Sequence, residues 1–276
     1  PLSNVHAYVS NPGGHNLRTA PNWSATVIKT LPTGTPLNVL ATAGDWFKVS
    51  ALGRTGYVNS WRVTLTGTPS TVIARGNTSR KQVALTFDCG SDRGYIVKIL
   101  ALLQAWKIKG SFGLTGAWVQ ANPSDARAIA QAGHQPINHT LDHPSFTGYS
   151  TGTDPISPAF RLSRLVGNET VLANAGVPKA MPYWRPPYGD YDNGVLRDVG
   201  AAGYSKTIMW TVDTLGWNGA TVNQIHDRVM SAAKWGMIVL MHVGADSQDA
   251  YALDHIISDL KDQGYGFGTV AQVIAP

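Results

Sequence analysis

Five short stretches carry side chains able to do hydrolytic chemistry. The apolar run Val83-Ala84-Leu85-Thr86-Phe87 ends in Asp88 and continues Cys89-Gly90-Ser91-Asp92. A carboxylate at a strand end can act as a base or a metal ligand. Asn138-His139-Thr140-Leu141-Asp142-His143-Pro144 holds two histidines at i and i+4. On a helical turn that spacing points both imidazoles the same way, so they can converge on one cation, and Zn²⁺ takes imidazole readily. In Trp184-Arg185-Pro186-Pro187-Tyr188-Gly189 two prolines stiffen the chain after an arginine. An arginine held this way can orient a carboxylate through a two-pronged hydrogen bond. Val212-Asp213-Thr214-Leu215-Gly216-Trp217 ends a run with an acid, and Ile238-Val239-Leu240-Met241-His242 ends another with a histidine. Such an acid and histidine can pair, the acid raising the imidazole pKa toward the working pH. Taken singly, each stretch has a plain structural reading, such as a loop-capping Asp or a core His. Together they place Asp88, His139, His143, Arg185, Asp213 and His242 at predicted strand ends.

The elements that must position these residues begin near Gln82. Predicted strands are Val83–Phe87, Gly110–Leu114, Tyr204–Val212, Met237–Met241 and Gly266–Val270. Predicted helices are Tyr95–Trp106, Ser124–Gln131, Pro158–Ala175, Asn193–Ala202, Thr221–Ala233 and Ala250–Gln263. Strand–helix alternation implies a largely parallel sheet with crossover helices. About seven such repeats suggest an α/β fold of the distorted (β/α) barrel type, which gathers chemistry at the C-terminal ends of its strands.

The preceding segment reads differently. From Val5 to Leu65 short β-type runs such as Pro36-Leu37-Asn38-Val39-Leu40 and Trp46-Phe47-Lys48-Val49-Ser50 alternate with Gly, Pro and Asn turns, as in a small all-β barrel. Thr66 to Thr71 has linker composition. The expected domains are therefore 1–66, a linker 67–78, and 79–276.

The 276 residues are 43% hydrophobic and 14% charged, which suits a packed core and excludes a disordered chain. No apolar run approaches a membrane span. One cysteine, Cys89, excludes an internal disulfide. The chain starts Pro1-Leu2-Ser3 without a signal-peptide pattern and reads as a processed form. Of the net charge of +5, residues 1–78 carry six Lys/Arg against one acid (Asp45), so the remainder is balanced, 16 against 16. A basic N-terminal segment favours a polyanionic surface such as a cell wall. No recognition motif supports nucleic acid as partner.

The ordered motifs Thr86-Phe87-Asp88, His139-Thr140-Leu141-Asp142-His143-Pro144, Arg185-Pro186-Pro187-Tyr188, Asp213-Thr214-Leu215-Gly216-Trp217 and Leu240-Met241-His242 resemble those of the NodB-homology polysaccharide deacetylases, carbohydrate esterase family 4, over residues 80 to 273. Asn16-Leu17-Arg18-Thr19-Ala20-Pro21, with Gly44 to Val49 and Gly53 to Val58, resembles a bacterial SH3-like domain. The resemblance implies a distorted barrel of the NodB deacetylase type behind a small SH3-like barrel, secreted or wall-associated. It implies metal-dependent removal of N-acetyl groups from an amino-sugar polysaccharide, peptidoglycan or chitin-like. O-acetyl esterase activity and a non-catalytic wall-binding relative are the alternatives.

By that resemblance Asp88 is the base, His242 the acid, Asp213 its partner, and Arg185 the group that keeps Asp88 ionised. The Tyr188 backbone N–H would steady the oxyanion, and Trp217 and Leu240 would surround the acetyl methyl. His139 and His143 would hold a divalent ion, most simply Zn²⁺. The chain departs from the family at two places. Cys89 stands where a second Asp ligand is usual, which makes Asp92 the expected third ligand with Cys89 as its competitor. Gly216 stands where a second Asp is common.

Overall fold

The computed structural model describes Leu2 and residues 4–276. The chain divides into two compact units that are not contiguous in sequence. One comprises Pro1–Thr71, Pro144–Val166 and Pro186–Thr207; the other comprises Val72–His143, Gly167–Arg185 and Ile208–Pro276. Among the described residues no helix is long and apolar enough to cross a membrane.

In the first unit seven short strands form an antiparallel sheet: β1 (His6–Val9), β2 (His15–Arg18), β3 (Val27–Leu31), β4 (Pro36–Ala43), β5 (Trp46–Ala51), β6 (Arg54–Asn59) and β7 (Val63–Thr66). Their order is β3-β2-β6-β5-β4-β1-β7. Side chains alternate across a pleated strand, so Leu37 and Val39 of β4 and Ala7 and Val9 of β1 turn inward while their neighbours face out. The β5–β6 hairpin closes on Leu52-Gly53, both with positive φ (49° and 72°), the twist that a two-residue hairpin requires. The apolar centre holds Leu17, Phe47, Val49 and Val58, and Ala159 and Leu162, from the start of helix Pro158–Asn174, join it.

The second sheet contains β8 (Thr71–Ile73), β9 (Gln82–Cys89), β10 (Ser111–Leu114), β11 (Gln135–Asn138), β12 (Tyr183–Trp184), β13 (Lys206–Ile208), β14 (Val212–Asp213), β15 (Met237–His242) and β16 (Gly266–Phe267). Its order is β14-β15-β9-β10-β11-β12-β13-β8, with β16 also on β9. The pairs β14–β15, β15–β9, β9–β10, β10–β11 and β11–β12 are all parallel. This is the distorted, incomplete (β/α) barrel anticipated above. Helices Ile96–Ala105, Pro123–Gln131, Val222–Ser231 and Asp249–Asp262 cover one face and bury Ile99, Leu103, Ile129, Val229, Leu253 and Ile257 against it.

The expected run Tyr204–Val212 is two strands, β13 and β14, separated by Met209-Trp210-Thr211. The expected strand Gly266–Val270 pairs only over Gly266–Phe267. Thr269 and Gln272 then form a reciprocal capping box that starts helix Val270–Ile274. Strands β11 and β12 lack a long β-branched run and are not among the strands delimited above, although His139 and Arg185 follow them as strand-end residues. The short helix Gly116–Ala121, capped by the Thr115 hydroxyl, is absent from that reading.

Candidate active site

The central strand β9 sorts its side chains by parity. Val83, Leu85, Phe87 and Cys89 enter the helix-covered core, whereas Thr86 and Asp88 take the opposite face. Asp88 is paired in register with Gly113 of β10 and His242 of β15. A Cβ on Gly113 would collide with Asp88 Oδ1, so the carboxylate sits directly over a residue with no side chain.

Arg185 follows β12 and is fully buried. Its Nη1 donates to Asp88 Oδ1 at 2.7 Å, its Nη2 to Thr86 Oγ1 at 2.9 Å, and its Nε to the Ile208 carbonyl at 3.0 Å. A guanidinium with three fixed acceptors has little rotational freedom, and it delivers full positive charge to a carboxylate only 6% exposed. Burial alone would raise the Asp88 pKa. The Arg185 charge leads the opposing contributions, which with the Arg185 hydrogen bond outweigh burial and hold the carboxyl below the ordinary range. Asp88 is thus ionised at neutral pH.

His139 directly follows β11. Its Nδ1 lies 3.0 Å from the Arg185 carbonyl, which fixes the tautomer with Nδ1–H donating. Nε2 then carries the lone pair and lies 3.5 Å from Asp88 Oδ2. The His139 and His143 ring centroids are 4.7 Å apart, with planes inclined at 74°. The two histidines do meet, but not on a helical turn. Thr140 and His143 both have left-handed φ (69° and 59°), and the Thr140 hydroxyl accepts the His143 N–H at 3.0 Å. Asn138 Oδ1 anchors this loop by accepting the Thr140 N–H and the Asn168 side-chain amide, each at 2.9 Å. Burial lowers both imidazole pKa values, that of His143 to about 3, so each ring is neutral and presents the ligand form.

The expected third ligand is not brought to this pair. Asp92 Oδ1 accepts the Ala245 N–H at 3.0 Å, and the Asp92 carbonyl accepts the Trp118 indole N–H at 2.8 Å. Among the described residues no group of three His, Cys, Asp or Glu side chains is arranged to hold a metal ion. The competitor is excluded by strand parity: Cys89 is fully buried in the apolar core on the face away from Asp88. Burial, with the Asp88 and Asp125 charges, pushes its thiol far from the thiolate a metal needs. The residues present therefore fit a divalent ion as a two-imidazole site, one donor short of the three usual in catalytic zinc centres.

Asp213 ends β14 and His242 ends β15, as expected, but they do not pair. Asp213 Oδ1 accepts the Leu215 N–H at 2.8 Å and its Oδ2 the Trp217 indole N–H at 3.2 Å. Asp213 thus braces Trp217, which is half exposed with its ring centroid 6.4 Å from that of His242. Leu240 is buried in β15, two residues before His242. Tyr188 lies in the first unit, in the turn Pro187–Gly189, with a left-handed φ of 60°. One carboxylate absent from the sequence reading reaches His242. Asp249 is fully buried, and its Oδ2 accepts the His242 backbone N–H at 2.8 Å.

The family model for polysaccharide deacetylases matches residues 75–207, and that for bacterial SH3 domains matches residues 13–64. The chain is similar to the peptidoglycan-N-acetylmuramic acid deacetylase PdaA of Bacillus subtilis, at 33% identity over 198 residues, covering 71% of this chain and 72% of that protein. It is also similar to a peptidoglycan-N-acetylglucosamine deacetylase of Bacillus cereus, at 32% identity over 200 residues, covering 71% and 89%. The uncharacterized protein YlxY of Bacillus subtilis is 33% identical over 205 residues, and the chain spans only 60% of its length. Among solved structures, a carbohydrate esterase family 4 pseudoenzyme from Bacillus anthracis superposes with a TM-score of 0.67 at 29% identity, covering 75% of this chain and 70% of that one. With a sheet that carries Asp88, His139, Arg185 and His242 at its C-terminal strand ends, and with relatives of this identity and coverage, the chain belongs to the polysaccharide deacetylases of carbohydrate esterase family 4 and carries a bacterial SH3 domain at its N-terminal end.

Proposed function

We propose that the protein is a hydrolase that removes N-acetyl groups from an amino-sugar polymer of the peptidoglycan type, releasing acetate. The observation that carries this reading is the buried contact of Arg185 with Asp88, set 3.5 Å from His139 at the C-terminal ends of parallel strands. A carboxylate kept ionised and fixed in a buried site is always in the form that can accept a proton from a water held beside it.

Asp88 takes a proton from the attacking water as its oxygen adds to the acetyl carbon. Arg185 does not move, because its three hydrogen bonds are already made. His242 then gives a proton to the sugar nitrogen as the carbon–nitrogen bond breaks, so acetate and a free amine leave. Leu240 and Trp217 flank His242 and suit the small apolar methyl group, with Asp213 fixing the indole. A divalent ion held by the neutral His139 and His143 imidazoles, Zn²⁺ by donor type, would polarise the acetyl carbonyl. The polymer is reached outside the cell, with the basic SH3 domain resting on the wall.

The experiment is product analysis. The protein, supplied with zinc, is incubated with soluble N-acetylated peptidoglycan fragments and separately with O-acetylated xylan. Free amine appearing with acetate on the first substrate supports the reading. Acetate from xylan alone would replace it with an O-acetyl esterase. A second reading, a non-catalytic wall binder, is favoured by the missing third donor and by likeness to a pseudoenzyme. Fragment binding without acetate release would establish it.

A further inference from the structure

The partner of His242 remains to be assigned, because both Asp213 oxygens are engaged elsewhere. Among the described residues, His242 Nδ1 is buried without a hydrogen-bond partner, and so is Asp249 Oδ1. These two orphan atoms belong to residues already joined at 2.8 Å through Asp249 Oδ2 and the His242 backbone N–H. Two residues already hydrogen-bonded to each other thus each keep a buried polar atom without a partner, which is costly unless the two atoms come to serve each other.

Asp249 itself is held rigidly. It opens helix Asp249–Asp262, and Ser247 Oγ donates to its Oδ2 at 2.8 Å. Its carboxylate also fills a space cleared by another residue. A Cβ built on Gly216 would lie 2.8 Å from both Asp249 Cγ and Oδ2, and would meet Ser247 Oγ as well. Gly216 does not have the positive φ that would demand glycine. What excludes a side chain at 216 is the Ser247 hydroxyl together with the Asp249 carboxylate it donates to.

We propose that Asp249 is the positioning residue for His242: its Oδ1 takes the Nδ1–H of the imidazolium, which fixes the tautomer and leaves Nε2–H to protonate the departing amine. This rests on the deacetylase reading above and assigns within it the role expected of Asp213. Burial raises the Asp249 pKa, while the hydrogen bonds from His242, Thr214 and Ser247 and the His242 charge oppose that rise. A carboxylate shielded from water in this way gains most from a cationic partner.

The test uses the full chain with zinc and two substrates. N-acetylated peptidoglycan fragments need the leaving nitrogen protonated, whereas 4-nitrophenyl acetate has a leaving group that departs unprotonated. Asp249→Ala should lower kcat on the amide about 100-fold, the scale of a general-acid contribution, with KM within about twofold and loss on the ester below about threefold. The double variant Gly216→Asp/Asp249→Ala, which returns a carboxylate to the same space from the other side, should regain at least about tenfold of the amide rate. If Asp249→Ala does not fold, Asp249→Asn, which keeps the shape, carries the same comparison. Equal losses on both substrates, or an amide rate equal to the parent's, would overturn the assignment of Asp249. A parent protein active on the ester but never on the amide would instead overturn the deacetylase reading and this assignment with it.

Discussion

At the scale of single residues the site turns on Arg185. One guanidinium satisfies Asp88, Thr86 and the Ile208 carbonyl, all away from solvent. Lysine is a point charge on a flexible stem and cannot span those three acceptors. Arg185→Lys should therefore lower stability by about 3 kcal/mol or more, the cost of disturbing a buried ion pair, and cut turnover at least about tenfold. Denaturant melts and initial rates check both. Much at this scale was legible in the sequence. Asp88, His139, Arg185, Asp213 and His242 are polar residues at or directly after strand ends, and His143 follows in the loop after β11. Their partners were not. Asp213 and Asp249 look alike as letters. Which of them touches His242 depends on the loop and first helical turn after β15, where Asp249 folds back over seven residues. Asp92 is the third ligand the resemblance implies, yet its Oδ1 accepts the Ala245 N–H instead.

At the scale of elements, parity along β9 sorts the side chains around the site. It removes Cys89 from the site and leaves Asp88 above Gly113. Gly113→Ala should displace the Asp88 carboxylate from Arg185 and lower kcat about 10- to 100-fold, since small misplacements of a reacting group are costly. A rate unchanged within twofold, with the fold intact by circular dichroism, would contradict this geometry. The pairing of β10 with β11 also depends on one buried imidazole. His134 Nδ1 accepts the Gly110 N–H at 3.0 Å just before both strands begin. Burial and Lys109 lower its pKa from 6.5 to about 4. Between these values the unfolded chain binds the proton and the folded protein does not, so this contribution is complete above pH 6.5 and is lost as pH falls toward 4. His134→Gln, which keeps an acceptor without titrating, should show a shallower fall in Tm over that window. The strongly apolar strands and the long helices were legible from periodicity. The two-residue β12 and the short β11 were not, because register with their neighbours, not their own sequence, makes them strands.

At the scale of the whole molecule, the linear order of domains and the packing order differ. Ala159 and Leu162, far along the chain, belong to the apolar centre of the β1–β7 unit. Deleting residues 1–70 should uncover them and lower Tm by several degrees, an effect expected when two apolar side chains lose their cover. The same deletion removes five of the 22 Lys and Arg residues (Arg18, Lys29, Lys48, Arg54 and Arg62) and one of the acids, Asp45. It should weaken sedimentation with insoluble wall at low salt, and added salt should weaken the intact protein in the same direction. Unchanged wall binding by the truncated chain would refute a docking role for the SH3 domain.

The central claim is that Asp88, held ionised by Arg185, activates the water that removes an acetyl group. It is tested most directly by measuring acetate release from N-acetylated peptidoglycan fragments, in the presence of zinc, by the parent protein and by Asp88→Asn. Asparagine keeps the shape and loses the base. The account predicts steady acetate release by the parent and a loss of about 100-fold or more in the variant, with the fold retained. Release by Asp88→Asn at the parent's rate, or no release by the parent at all, would contradict it.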